Sequence, residues 1–427
     1  MTMSPARHEI SFEMPDTAEL LIEEARRKGR RRRLVKGAIL LLIVLIVAAV
    51  LFVVLRGPTG PAQPKNTESG KATGARYIQT NVANLAGSNT LTAVGSRVWV
   101  AINEESPTKN VYAVTELNAS NGSLIRVIKN KLGSVIQSGK NQGTGDLTVP
   151  GWMTVSGSHL WVTDDQYWRV TELNAASGSL VRVIDSKADK FADPGPIAVS
   201  GGHVWVINGR TGTNSVTELN ASNGSLVRVL NSKAYGFDDP GAIAVSSGRV
   251  FVLNADGDSI TEIDASNGSL VRIFNAHAGC CAFSQSFEWA EPVALAVNGS
   301  HLWIGDEHDY ANGSTSSTSI VELNTKSGSL IRIIKARTDD LSITRAMDVS
   351  RDRVWIEDGS NAITELNATN GSLVRVINTK LDPKGFNSSD GMAVEGHFVY
   401  VLNIYSGQRG SVTVINVSNG KIVRVIG

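Results

Sequence analysis

One phrase recurs seven times along this chain, and no other feature limits the fold as strongly. TELNASNGSLIRVI begins at Thr115 and returns with small changes at Thr171, Thr217, Thr261, Val321 and Thr364. A weaker copy, TVINVSNGKIVRVI, begins at Thr413. With Asn118, Asn174, Asn220, Asp264, Asn324, Asn367 and Asn416 as anchors, the steps are 56, 46, 44, 60, 43 and 49 residues. A second phrase precedes each copy: a short apolar run, a tight turn and an aromatic run, as in AVSGGHVWV. Each unit therefore holds four short strand candidates separated by turns, with alternation clearest in Val114-Thr115-Glu116-Leu117 and Leu124–Ile128. No segment of helical period interrupts them. Four-stranded units of this length point to an all-β, seven-bladed β-propeller with four antiparallel strands per blade. A solenoid would need distinct capping repeats, and the terminal units here look like the others.

The phrases also carry a resemblance. The order P-x-x-I-A-V-S-x-x-x-V-W-V-x-N followed by S-V-T-E-L-N-A-S-N-G-S-L-V-R-V-I resembles bacterial YVTN- and NHL-type β-propellers over residues 82–427. That resemblance implies fold, not activity, because the architecture hosts sensors, scaffolds, binding proteins and some lyases. The Gly-His and Trp-Asp pair of WD40 repeats is absent. So is the tryptophan-docking phrase of quinoprotein dehydrogenases, and no cofactor is implied.

The region before the repeats has a different composition. Residues 1–36 hold nine basic and six acidic residues, a net +3, with the bases packed into Arg26–Lys36. The whole chain is +1, so residues 37–427 carry −2. Residues 37–55, GAILLLIVLIVAAVLFVVL, contain no charge. As a helix they span roughly 28 Å, close to the hydrocarbon core of a bilayer. The run is longer than a signal-peptide core and lacks a small-residue cleavage site. It reads as one uncleaved transmembrane helix, with the basic segment 1–36 cytoplasmic. Residues 56–81 read as a flexible Gly/Pro/Ser-rich stalk. The propeller is then expected at the cell membrane, single-pass and extracytoplasmic. The basic cluster is assigned to topology and lipid head groups rather than to nucleic acid.

Several recurrent residues look chemical but repeat too regularly to be a site. Glu116 and Arg126 flank the Asn-Gly turn at equal distances, and five more blades carry the same pair. Read as surface cross-strand ion pairs, they contribute roughly 0.2–1 kcal/mol each and keep the outer strand soluble. His159, His203, His301 and His397 read as turn histidines. Trp99, Trp161, Trp205, Trp303 and Trp355 share one position with Phe251 and Tyr400, which reads as packing between blades. The Asn-x-Ser/Thr sequons read as tight turns with Asn accepting backbone bonds.

Candidate function lies in what does not recur. Loops joining strands 2–3 and 4–1 share one face and vary in length, from 129–150 through 403–410, whereas the other loops are short and uniform. Trp168, Trp289, Tyr310 and Tyr405 are contact candidates on that face. The insertions 275–292 and 305–319 belong to one blade and add His277, His308, Glu288, Glu291, Asp306 and Asp309. No metal-ligand spacing links them. Adjacent Cys280 and Cys281 allow a vicinal disulfide, free thiols or intermolecular bridging. The leading expectation is a binding, scaffold or sensor module for a protein, peptide or glycan. The alternative is a lyase-like enzyme using His277 or His308 with Glu288 or Glu291 as acid and base. A purely structural envelope protein is the third possibility.

Overall fold

The computed structural model describes residues 76–78, 88–104, 111–129, 149–164, 167–185, 191–209, 214–231, 233–275, 291–308, 317–335, 344–358, 362–378, 389–403 and 410–426. The chain divides into two units, 1–72 and 73–427. The expected transmembrane segment 37–55 lies outside the described residues. Among the described residues no helix is long and apolar enough to cross a membrane.

A short strand, β1 (Arg76–Ile78), precedes seven blades of four strands each and joins the sheet of the seventh. Blade 1 holds β2 (Ser88–Val94), β3 (Arg97–Glu104), β4 (Val111–Asn118) and β5 (Leu124–Lys129). Blade 2 holds β6 (Met153–Ser156), β7 (His159–Asp164), β8 (Arg169–Asn174) and β9 (Leu180–Ile184). Blade 3 holds β10 (Pro194–Ser200), β11 (His203–Asn208), β12 (Ser215–Asn220) and β13 (Leu226–Asn231). Blade 4 holds β14 (Pro240–Ser246), β15 (Arg249–Asn254), β16 (Ser259–Asp264) and β17 (Leu270–Asn275). Blade 5 holds β18 (Glu291–Asn298), β19 (His301–His308), β20 (Ser317–Asn324) and β21 (Leu330–Lys335). Blade 6 holds β22 (Thr344–Ser350), β23 (Arg353–Asp358), β24 (Ala362–Asn367) and β25 (Leu373–Asn378). Blade 7 holds β26 (Ser389–Glu395), β27 (Phe398–Asn403), β28 (Ser411–Asn416) and β29 (Ile422–Ile426). Every blade is an antiparallel meander, as the repeat required. The first strand of each blade packs on the first strand of the next, and β26 packs on β2, so the ring closes around these inner strands.

The strand-2 aromatics fill the space between blades. Trp99, Trp161, Trp205, Trp303, Trp355, Phe251 and Tyr400 are all buried. Trp161, for example, packs with Val204, Val206 and Leu219 of blade 3. In blades 1–6 the aromatic lies directly opposite the strand-3 glutamate, and that glutamate lies opposite the strand-4 arginine: Trp205↔Glu218↔Arg228 is one such row.

These rows correct the surface reading of the ion pairs. Glu116, Glu172, Glu218, Glu262, Glu322 and Glu365 are buried, at 0–1% exposure. Each faces two basic side chains at ion-pair distance, one from strand 4 and one from the start of strand 2. Glu365 takes Arg375 Nε at 2.6 Å and Arg353 Nε at 2.7 Å. Glu172 takes Arg182 Nε at 2.7 Å and His159 Nδ1 at 2.5 Å. His203 and His301 repeat the histidine version. Arg97 and Arg249 repeat the arginine version. The histidines are therefore buried-acid partners and not merely turn residues; His397 alone of the four stays in the turn, one residue before Phe398. The physical reason is the shared sheet face. A long strand-2 cation two residues before the aromatic lies diagonal to the glutamate and reaches it under the neighbouring blade.

The strand-4 arginine also joins blades. Arg126 Nη2 donates to the Ala176 carbonyl at 2.7 Å, Arg182 Nη2 to Ser222 at 3.1 Å and Arg332 Nη2 to Thr369 at 2.9 Å. Each acceptor sits in the strand 3–4 turn of the next blade. That turn forms as the sequence indicated. Asn220 Oδ1 accepts from the Ser222 and Asn223 amides, and Gly224 N–H donates to the Asn220 carbonyl. Its glycine has two reasons to be glycine. At Gly268 φ is +72°, and a Cβ would stand 2.6 Å from Cδ and Nη1 of Arg228. Gly268→Ala is expected to cost about 1–2 kcal/mol, read as a lower denaturation midpoint.

Candidate functional site

The mouth of the ring, on the face of the variable loops, holds a cavity of about 400 Å³. It is built where inner strands of blades 1–4 begin: Thr90, Gly151-Trp152, Asp193 to Pro196 and Asp239 to Gly241, with Ile207 and Gly209 closing one side. Local sequence explains its shape. Asp193-Pro194-Gly195 and Asp239-Pro240-Gly241 open β10 and β14. Proline is tolerated at the first residue of a strand, where its missing N–H removes little from the ladder. The preceding aspartates sit at φ +57° and +48°, a left-handed conformation that Asp tolerates better than most residues.

Anchors behind the rim hold that geometry. Phe191 packs with Trp161 and Ile197, and Phe237 with Trp205 and Ile207. Tyr235 stacks on Phe237 at 5.4 Å and donates its hydroxyl to the Gly268 carbonyl at 2.8 Å. The Asp239 carbonyl accepts from Ala255 N–H at 3.0 Å.

Trp152 is the prominent side chain of the mouth. Its amide donates to Thr163 Oγ1 at 3.0 Å and its carbonyl accepts from Thr163 N–H at 2.9 Å, yet the residue is 48% exposed. A pinned backbone carrying a half-exposed indole is the arrangement of a recognition anchor. The lining offers apolar surface from Trp152, the prolines and Ile207, with two carboxylates at the rim. Among the described residues its lining holds no histidine, cysteine, serine or lysine, and its polar side chains are Thr90, Asp193 and Asp239.

The sequence-nominated residues fall in several places. Trp168 is 53% exposed at φ 55°, in the strand 2–3 loop of blade 2 on the same face. Asp306 is fully buried. It occupies the repeat position of Asn208, Asn254 and Asn403, three residues after the aromatic. Those asparagines tie strand 2 to strand 3: Asn208 Nδ2 donates to Ser215 Oγ at 3.2 Å and Thr217 Oγ1 at 3.0 Å. Asp306 lies opposite Ser319, the counterpart of Ser215. Asp164 holds the same position, accepting from the Val149 and Tyr167 amides and from Arg169 Nε. Its burial pushes the carboxyl above the usual range, partly offset by Arg169. Asp164 thus ties its own loop, and Asp306 is buried at the same repeat position. The backbone register sets Glu291 opposite Glu307, the residue before His308. Trp289, Tyr310, Tyr405, His277, Glu288, Asp309, Cys280 and Cys281 lie outside the described residues. Among the described residues, no three potential metal ligands cluster.

Sequence reading passed over Trp152 and the two Asp-Pro-Gly corners. The signal was present: the same tripeptide opens two successive units, and Trp152 follows Pro150-Gly151 at the equivalent place.

Fold and mouth together define a seven-bladed β-propeller with a cavity at the mouth of its ring. The chain belongs to the PQQ_2 family, described as outer membrane protein assembly factor BamB, whose profile matches residues 163–425. No curated protein matches it. Among solved structures it is similar to U3-55K, at 13% identity over 82% of this chain and 100% of that one, with a TM-score of 0.57. It is similar to Kuenenia stuttgartiensis hydrazine synthase at 15% identity, 81% and 99% coverage and a TM-score of 0.56. The computationally designed Ika8 protein matches at 12% identity, 82% and 90% coverage and a TM-score of 0.54. At these identities the likeness is one of fold.

Proposed function

We propose that this protein is a non-catalytic scaffold that holds a partner protein at the mouth of its ring. The observation that carries this is the pinned, half-exposed Trp152 over a Pro/Gly-lined cavity with Asp193 and Asp239 at its rim. Membership of a family described by an assembly factor is consistent with that reading. The YVTN/NHL-like repeat order is a finer assignment within it, resting on the blade phrases. We place the propeller outside the cytoplasm, tethered through 37–55, on the apolar run and the basic segment before it.

A photo-crosslinking residue at position 152, in the full-length membrane protein, tests the site. Discrete crosslinks are expected from the mouth. Trp152→Ala, probed with the crosslinker at position 168, should lose them while its melting temperature is unchanged. Crosslinks indifferent to Trp152→Ala would sink the proposal. Protease accessibility of the propeller from outside intact cells tests the topology, and full protection would refute it.

A further inference from the structure

Blade 7 differs from the others by one strand. Its outer strand β29 carries β1 in parallel, with Arg76 opposite Arg424, Tyr77 opposite Val425 and Ile78 opposite Ile426. Among the described residues, the outer strands β5, β9, β13, β17, β21 and β25 have a strand on one side only. They carry nearly the same sequence as β29 (IVRVI): LIRVIK, LVRVI, LVRVLN, LVRIFN, LIRIIK and LVRVIN. An edge strand presents a row of backbone N–H and C=O groups that a further chain can pair with.

Two properties suit these edges to that use. Their arginines are fastened to a buried glutamate and, in five of the six, to a carbonyl of the next blade, which holds the strand to its sheet. Their leading aliphatics stand exposed: Ile125, Val181, Val227, Val271, Ile331 and Val374 at 36–41%. An inward-pointing charge is one device that deters strand addition. It does not do so here, because β29 keeps its arginine and still takes β1.

We infer that the outer edges of blades 1–6 are strand-addition sites for an extended, apolar-rich segment of a partner polypeptide, entering in parallel as 76–78 does on blade 7. The occupant is a partner rather than a second copy, because each copy's own 76–78 already lies on its own β29. This surface is separate from the mouth and does not depend on it.

The probe is a synthetic peptide of residues 74–80 added to the purified full chain, read by amide hydrogen exchange. Exchange in the outer strands should slow by about tenfold or more at saturation. The same peptide with methylated backbone nitrogens should give no protection. Val227→Asp should remove protection from β13 alone, leaving β9 and β17 protected, which separates a local effect from unfolding. Trp152→Ala should leave all of it intact. No slowing in any outer strand, or equal slowing by the methylated peptide, overturns the inference. Concentration-dependent dimers with the same strands protected in the absence of peptide overturn it too, in favour of a second copy.

Discussion

Replacing Glu365 with valine is expected to cost about 3 kcal/mol, because it leaves two guanidinium groups facing a buried apolar side chain. Adding Arg353→Phe to that variant should recover most of the loss. Blade 7 is the precedent. There Val414 stands at the glutamate position and Phe398 at the strand-2 cation position, while Arg424 is kept. The acid and its strand-2 partner have disappeared together. Arg353→Phe alone should cost about 2 kcal/mol, since a buried carboxylate then keeps only Arg375. With about 1 kcal/mol of cost left in the double variant, a double-mutant cycle in urea should give a coupling of about 4 kcal/mol. Simple additivity of the two single costs would refute the pairing. Glu365→Gln should fall between, because it keeps volume and hydrogen-bonding atoms while losing charge.

These glutamates are not surface ornaments. Burial pushes the Glu218, Glu262, Glu322 and Glu365 carboxyls above their usual range, and their cationic partners pull back. Desolvation is the larger effect. A buried ion pair then adds little net stability over an apolar pair, yet breaking one half is costly. Blade 7 has taken the apolar solution and the other blades the ionic one.

The architecture was legible because its signals are local. Asn-Gly turns, period-two strands and a repeating aromatic each act within one hairpin, and seven copies leave little freedom. The pairing Glu↔Arg was legible for the same reason. Its burial was not, because burial is conferred by the neighbouring blade, about 45 residues away in sequence and invisible to a cross-strand argument. The histidines illustrate a different gap: His159 and Glu172 are diagonal neighbours on paired strands of one blade, a contact that a turn-only reading leaves out. Asp306 is a buried residue of β19, and its place beside a variable loop did not show that burial. Aligning on the aromatic, instead of on the loop, would have grouped it with Asn208, Asn254 and Asn403. The mouth was partly hidden for the opposite reason: Asp-Pro-Gly reads as an ordinary corner until four blades converge on it.

Asp348 occupies a position where the other six blades have alanine or threonine, opposite the strand-2 aromatic Trp355. It is half-buried, and its Oδ2 accepts from the Val394 amide of blade 7 at 2.7 Å. Burial raises its pKa from 3.8 to about 6; bonds from the Val394 and Val349 amides lower it and nearby Glu395 raises it. The folded protein therefore holds this proton more tightly than the unfolded chain does. The stabilisation is complete below about pH 4, where both states are protonated, and is lost as pH rises through about 6. Asp348→Asn keeps an oxygen for Val394 and removes the titration. It should be more stable than the parent by about 1–3 kcal/mol at pH 8, with the advantage fading as pH falls toward 4. Asp348→Ala, the residue most blades use, should gain less because it leaves the Val394 amide without that acceptor. Melting temperatures of all three across pH 4–8 decide the matter. Parallel curves for parent and Asp348→Asn would show that this carboxyl does not titrate in that window.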